Sequence, residues 1–317
     1  MAEPQQRTVA QVGEFGVVDA VSSVFHQGSD VLVGPGDDAA VLAVPSGRVV
    51  VSTDLLVENR HFRCDWSSAE DIGHKAAAAN LSDINAMGGT ATGMVVALGV
   101  PGSLPMAWVD DLARGIADEV ALTGTSVLGG DVTASEHIVV SVTVLGTCDD
   151  EPVRRSGARP GDVLALCGRV GWSAAGYHVL GRGFRSPRAV VDAHRRPEPP
   201  YTAGPEAAKL GATAMIDLSD GLLADVGHIA RASGVAVDVR PGALEVAEPL
   251  HAVGSALGVD PLRYVLTGGE DYALAATFPA DVDVPGGWTV VGEVREGSGV
   301  TVDGEEYDAA RGFEHFR

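Results

Sequence analysis

Six places in this chain set carboxylates directly after glycines or small hydroxyl residues. Gly36-Asp37-Asp38, Gly129-Gly130-Asp131 and Gly268-Gly269-Glu270-Asp271 follow glycines, whereas Ser52-Thr53-Asp54, Leu81-Ser82-Asp83 and Leu218-Ser219-Asp220 follow hydroxyl residues. Glycine opens backbone angles that other residues avoid, so each glycine stretch turns the chain sharply and presents its acids at the turn. Adjacent carboxylates repel unless a positive charge lies between them, and a hard, oxygen-seeking cation such as Mg²⁺ is the usual neutraliser. Any one stretch fits a solvated turn as well as a metal site. Six of them point to one polyvalent metal site.

Three of these stretches carry more specific signals. A helix capped by Ser67 or Ser68 and running to about Met87 has the stripe Ile72, Ala76, Ala79, Asp83, Ala86 on its inner face. Asp83 thus points inward in the last turn, where the helix dipole disfavours an acid; a cation or a hydrogen-bonded structural role accounts for it. Asp217 and Asp220 bracket a strand-to-helix turn whose free N–H groups suit an anion, with the acids recruiting its metal counterions. The loop over 147–161 carries Arg154 and Arg155, which are either solvated or able to reach a phosphate. His61, alone on a loop beyond Asp54, is by type more often structural than functional.

At 317 residues the chain exceeds the size at which one core keeps growing, so two domains are expected, 1–147 and 148–317. A hydrophobic content of 45% describes a packed protein rather than a disordered one. The formal charge of −21 excludes a nucleic-acid binder, which needs a basic footprint, and suits a protein that collects cations. Its two lysines, Lys75 and Lys209, lie in no Walker A loop, so bound phosphates would be neutralised by metal ions, arginines and backbone amides. Cys64, Cys148 and Cys167 fit neither a disulfide framework nor a zinc site. No basic-then-apolar leader opens the chain, and its apolar runs fall far short of the roughly 18 to 20 residues of a membrane span, so a soluble, cytoplasmic protein without a membrane partner is expected.

Periodicity predicts how these residues are carried. Valine-rich strands over Ala39–Val44 and Val49–Leu55 flank the first acids; the Asp83 helix, a strand over Ala91–Val100 and a helix over Pro105–Leu122 with Trp108, Leu112, Ile116 and Val120 on one side follow. Strands over Ser126–Leu128 and Ile138–Gly146 complete a first α/β domain. A second begins with the strand Val163–Cys167 and has helices at Ser173–Leu180, Ala189–Ala193 and Pro205–Leu210, the last with proline at its first position. The strand Thr213–Leu218, the helix Leu222–Ala232 and strands Val235–Val239, Tyr272–Thr277 and Trp288–Val294 follow.

Taken in order, Gly13-Glu14-Phe15, Gly36-Asp37-Asp38, Ser52-Thr53-Asp54 with His61-Phe62, Asn80-Leu81-Ser82-Asp83, Gly129-Gly130-Asp131, Arg155-Ser156-Gly157, Ile216-Asp217-Leu218-Ser219-Asp220-Gly221, Gly268-Gly269-Glu270-Asp271-Tyr272 and His315-Phe316 resemble the thiamine-monophosphate kinase family. That family lies in the superfamily of aminoimidazole ribonucleotide synthetase and selenophosphate synthetase. The resemblance implies a two-domain α/β (α+β) fold, with an N-terminal metal- and ATP-binding domain whose sheet forms a barrel across a homodimer, and a C-terminal α/β domain. It also implies Mg²⁺-dependent transfer of the ATP γ-phosphoryl group to thiamine monophosphate. By the same resemblance Asp38, Asp54, Asp83, Asp131 and Asp217 carry several Mg²⁺ ions, with Ser52, Thr53 and Asp220 in support. Gly130, Asp131, Arg155 and Ser219 touch ATP, and His61, Glu270 and Phe313 touch the substrate. Pro35 and Phe313 depart from the family's commoner residues, an aliphatic one and a larger aromatic.

A phosphate monoester acceptor already offers a deprotonated oxygen near neutral pH, so no side chain is expected as general acid or base. The acids place metals rather than move protons. Within the superfamily, selenophosphate synthetase needs a reactive Cys near its N-terminus and the hydrogenase maturation member ends in one; here the first is Cys64 and the end is Glu314-His315-Phe316-Arg317. Aminoimidazole ribonucleotide synthetase is the enzyme rival, and a non-catalytic nucleotide or thiamine-phosphate binding module the rival of another class.

Overall fold

A computed structural model of the chain describes residues 7–33, 40–45 and 47–307. Asp38, with its Gly36-Asp37 neighbours, and Phe313, with His315-Phe316, lie outside them. The chain divides into two compact units, one comprising 1–84 and 90–147, the other 85–89 and 148–317.

In the first unit α1 (Val9–Val12), α2 (Glu14–Ser22), β1 (Val31–Val33) and β2 (Val41–Leu42) precede β3 (Val50–Val57), α3 (Ala69–Ala86), β4 (Thr90–Val100), α4 (Met106–Ala121), β5 (Ser126–Ala134) and β6 (Val139–Thr147). The main sheet has the order β3-β6-β4-β5, with only β4 and β5 parallel. A parallel pair needs a crossover, and α4 supplies it. Strand alternation buries Val140, Val142 and Val144 of β6 on the sheet's inner face. Val51 is 60% exposed, Leu55 50% and Val95 38%; these lie on the sheet's other face, among Thr53, Ser141 and Thr143.

Two sequence expectations change here. On α4 Val109 rather than Trp108 is buried with Leu112, Ile116 and Val120. β5 does not stop at Leu128 but runs on through Gly129-Gly130-Asp131. Their glycines read locally as a turn, yet they pair with Val95 and Val96 just past a bulge at Leu128. A Cβ on Gly130 would stand 1.8 Å from the Val96 carbonyl oxygen of the neighbouring strand. Glycine is needed there for strand pairing.

The second unit contains β7 (Val163–Cys167), α5 (Trp172–Gly181), α6 (Arg188–Arg195), α7 (Ala203–Lys209), β8 (Ala214–Asp217), α8 (Leu222–Ser233), β9 (Ala236–Val239), α9 (Glu248–Leu257), α10 (Pro261–Thr267), β10 (Leu274–Phe278), β11 (Trp288–Arg295) and β12 (Gly299–Val302). Its sheet order is β12-β9-β11-β7-β10-β8, antiparallel except for β12 against β9. β10 is buried along its whole length and carries Phe278, whose ring meets Trp288 edge-on at 5.5 Å. α7 starts at Ala203, which makes Pro205 its third residue rather than its first. Among the described residues, no helix is long and apolar enough to cross a membrane.

Candidate functional site

Each unit gathers a set of acids. In the first, period-two alternation turns Ser52 and Asp54 to the inner face of β3, toward α3. The Ser52 hydroxyl donates to Asp83 Oδ2 at 2.6 Å, and the backbone N–H of Asp54 donates to Asn80 Oδ1 at 3.1 Å. Asn80 is fully buried, and its amide is oriented by donating to the Ala76 carbonyl of its own helix. Asn80 and Asp83, three residues apart, therefore meet the strand from one helix face. Asp54 is open to solvent on one side, and burial of the other pushes its carboxyl above its ordinary value while His61 pulls it down. His61 accepts the Val57 N–H at Nδ1, 2.9 Å away, which assigns the ring proton to Nε2. The buried Lys75 ammonium reaches the His61 carbonyl at 3.3 Å and holds that loop against α3.

Thr53 and Asp131 do not join this set within the chain. Strand alternation turns Thr53 to the outer face, where its hydroxyl donates to the Val142 carbonyl and accepts from Thr143 at 3.0 Å. Asp54 stands in one row with Val142, Val96 and Gly130, and Asp131 in the next row with Ala97, Ser141 and Leu55. β3 and β5 are opposite edges of the sheet, so the two acids are about 14 Å apart by strand spacing.

In the second unit the strand-to-helix turn after β8 and the loop before β10 are zipped together. The two segments exchange backbone bonds: Tyr272 N–H donates to Leu218 O at 3.0 Å, Glu270 N–H to Ser219 O at 2.8 Å, and Leu218 N–H to Ala273 O at 2.8 Å. Such closeness demands glycine. A Cβ on Gly269 would lie 2.4 Å from the Ser219 oxygen, and one on Gly221, whose φ is +114°, would lie 2.7 Å from the carbonyl carbon and oxygen of Thr267. Glu270 and Tyr272 hold positive φ values of 63° and 54°, strained for residues with side chains.

Asp217 is buried at the end of β8, and Ser219 and Asp220 are half-buried in the turn. Sequence reasoning missed Asp225. It reaches back from the first turn of α8 and accepts the N–H groups of Asp220 and Gly221, each at 3.0 Å. Burial, with the nearby charges of Asp217 and Asp220, pushes its carboxyl up to about 7 against those two bonds. Its signal was a carboxylate one turn inside a glycine-capped helix, the reach-back of a capping box.

The loop of Arg155 is pinned at the other end of α8. Ser233 Oγ donates to the Arg155 carbonyl at 2.9 Å and accepts Gly157 N–H at 3.1 Å. Between these ends lies His228, whose proton affinity falls through burial and the charges of Arg155 and Arg231, while Asp220 raises it. Asp220, His228 and Arg155 are thus neighbours in one field. Glu270 faces the buried His194 at 3.5 Å, and His194 Nδ1 also lies 3.0 Å from Ser173 Oγ. Both contacts use one ring nitrogen, whereas a nucleophile–base–acid relay uses the two nitrogens separately.

Models of the N-terminal and C-terminal domains of AIR synthase related proteins match residues 36–148 and 159–305. Fold and acid placement thus define the class as a two-domain AIR synthase-like protein. A thiamine-monophosphate kinase of Mycobacterium tuberculosis is 47% identical over 312 residues, 98% of this chain and 93% of that protein. The Aquifex aeolicus one is 33% identical over 311 residues, 96% and 99%. Among solved structures, the thiamine-monophosphate kinase of Stenotrophomonas maltophilia superposes with a TM-score of 0.81 at 32% identity, covering 92% of this chain and 96% of that one. A structure described as AaThiL complexed with AMPPCP and TMP gives 0.80 at 31% identity, covering 99% and 100%. The chain belongs to the thiamine-monophosphate kinase family.

Proposed function

We propose that this chain transfers the γ-phosphoryl group of ATP to the phosphate of thiamine monophosphate, giving thiamine diphosphate and ADP. The observation that carries the reading is the pair of acid sets, Ser52-Asp54-Asp83 and Asp217-Asp220, in a chain matched almost end to end by kinases of this substrate. The structure neighbour described with AMPPCP and TMP supports the same two substrates.

The donor set is carboxylate and hydroxyl oxygen, which fits Mg²⁺ and not a soft metal. Asp38, Asp54, Asp83, Asp131 and Asp217 would hold it, with Ser52, Thr53 and Asp220 in support; for Thr53 the hydroxyl is engaged elsewhere, so its part falls to the backbone. Bound Mg²⁺ would neutralise the meeting phosphates. Among the chain's own groups, the Ser52 hydroxyl and the Asn80 amide orient Asp83 and the Asp54 backbone, and the Asp225 carboxylate fixes the 219–221 turn. Ser219, Gly130, Asp131 and Arg155 would contact ATP, and His61, Glu270 and Phe313 the thiamine monophosphate. No residue need take a proton, since the acceptor oxygen is already ionised, and catalysis rests on positioning and charge neutralisation.

The first unit, 1–147, is assigned metal and nucleotide binding and dimerisation. Its outer sheet face exposes Val51, Leu55 and Val95 between two open edges, a surface that a second copy would cover by closing a barrel. A sedimentation coefficient of a monomer at micromolar concentration would refute the homodimer. The three cysteines are in the thiol form, which suits a reducing cytoplasm.

The test of function is product formation from ATP, Mg²⁺ and thiamine monophosphate, with thiamine and formylglycinamidine ribonucleotide as parallel substrates. Thiamine diphosphate from the monophosphate alone is expected. Asp54→Asn and Asp131→Asn should abolish turnover with the fold intact. Tight ATP binding without product at any Mg²⁺ concentration would instead mark a binding module.

A further inference from the structure

A second group of metal-ligating side chains lies on α3 and α4, away from the acids described above. One carboxylate oxygen each of Glu70 and Asp118 and one ring nitrogen of His74 lie within 4.8 Å of one another. Glu70 and His74 are one turn apart on α3, and so share a face; Asp118 comes from α4. His74 to Asp83 is nine residues of helix, so the group lies about 14 Å along α3 from the Ser52–Asp83 pair.

Two further features make this more than a run of surface acids. The first is the imidazole's orientation: His74 Nδ1 is 2.8 Å from Oε2 of Glu119, a carboxylate only 5% exposed. A neutral imidazole that donates Nδ1–H to Glu119 carries its lone pair on Nε2, the arrangement of a histidine that binds metal with a carboxylate behind it. The second is the rigidity of the scaffold. A Cβ on Gly73 would stand 2.2 Å from the Leu112 carbonyl oxygen, and one on Gly115 would stand 2.1 Å from that of Glu70. The two helices touch backbone to backbone at these glycines, which fixes Glu70 and His74 opposite Asp118 and Glu119.

We propose that Glu70, His74 and Asp118 bind one divalent first-row transition metal of the Zn²⁺ class, with water as fourth ligand and Glu119 as the positioning residue behind His74. One imidazole and two carboxylates suit Zn²⁺, Co²⁺ or Ni²⁺ and disfavour Mg²⁺, whose ligands are oxygens. A tetrahedral Zn²⁺ places its ligand atoms about 3.3 Å apart, reached from the observed spread by rotation of the half-buried Glu70 and the exposed Asp118. Bound there, the ion clasps α3 to α4.

The test is calorimetric titration of EDTA-stripped protein with Zn²⁺, paired with Co²⁺ absorption and thermal unfolding. Expected is one Zn²⁺ per chain at this site, a tetrahedral Co²⁺ spectrum and a raised unfolding temperature. His74→Ala and Asp118→Asn should lose these signals, and Glu119→Gln should weaken Zn²⁺ binding about tenfold or more. Phosphoryl transfer with Mg²⁺ should stay at the wild-type rate in Asp118→Asn, whose exposed carboxylate leaves the fold undisturbed. Wild-type Zn²⁺ affinity in both His74→Ala and Asp118→Asn overturns the proposal, as does a Zn²⁺ signal that survives in them and vanishes in Asp54→Asn.

Discussion

Replacing Asp225 by Asn separates what this carboxylate costs from what it does. Burial and the charges of Asp217 and Asp220 raise it to about 7 from an ordinary 3.8, despite the bonds from Asp220 N–H and Gly221 N–H. The folded protein thus holds the proton more tightly than the unfolded chain does. The stability it contributes is full below its ordinary value and is lost as pH rises through about 7; three units correspond to about 4 kcal/mol. Asn removes that loss, and because both N–H groups bond to the one oxygen Oδ2 it keeps an acceptor for both, forfeiting only their charge assistance, about 1 kcal/mol for each bond. In EDTA near pH 8 the variant should therefore unfold about 1–2 kcal/mol later than wild type; near pH 5, where Asp225 is mostly protonated, the advantage should vanish or reverse. Urea unfolding followed by circular dichroism at both pH values measures this. Saturating Mg²⁺ should shrink the difference, because cations at Asp217 and Asp220 favour the ionised Asp225. Turnover should show the opposite bias, with a KM for ATP raised about tenfold as the 219–221 turn loosens, an effect of the order of the lost charge assistance. Equal destabilisation of the variant at both pH values, or an unchanged KM, would refute the account.

Other perturbations follow from the same geometry. Ser52→Ala removes the 2.6 Å bond that orients Asp83 and should raise the Mg²⁺ concentration for half-maximal turnover several-fold, with kcat nearly restored at saturation; an unchanged Mg²⁺ titration refutes it. Gly221→Ala forces a side chain into a φ of +114° and against Thr267, and should cost about 2–4 kcal/mol in urea unfolding. Cys64 is exposed, yet partial burial of its sulfur and the neighbouring Glu58 raise its thiol to about 11 from 9.0. Its thiolate fraction near pH 8 falls about a hundredfold, so iodoacetamide should label it about that much more slowly than a free cysteine; rapid labelling would reverse this.

What could be read in the sequence was what is local. Glycine and hydroxyl residues before acids marked the turns and strands that carry them, and apolar periodicity marked the elements, with β7 found at its true bounds. Pairing across the chain left no such trace. Gly268 and Gly269 read locally as one more turn that presents acids, but the space beside Gly269 is filled by the Ser219 backbone, fifty residues earlier. His194 meets Glu270 through the packing of α6, and nothing near His194 in sequence announces it. Nor does the sequence show that the order of the strands sets Asp54 and Asp131 on opposite edges of the sheet.

The features that were hardest to foresee nonetheless share a physical character. Asp54 and Asp225 are held above their ordinary values by burial, Asp217 is buried beside Asp220, and Glu270 and Tyr272 occupy backbone angles that cost free energy. Burial of a carboxylate and a positive φ on a residue with a side chain each cost the fold free energy. They lie in two short regions, β3 against α3 and the 217–225 turn against the 267–273 loop. The cation and phosphate of the proposed reaction are what would offset the charge gathered there.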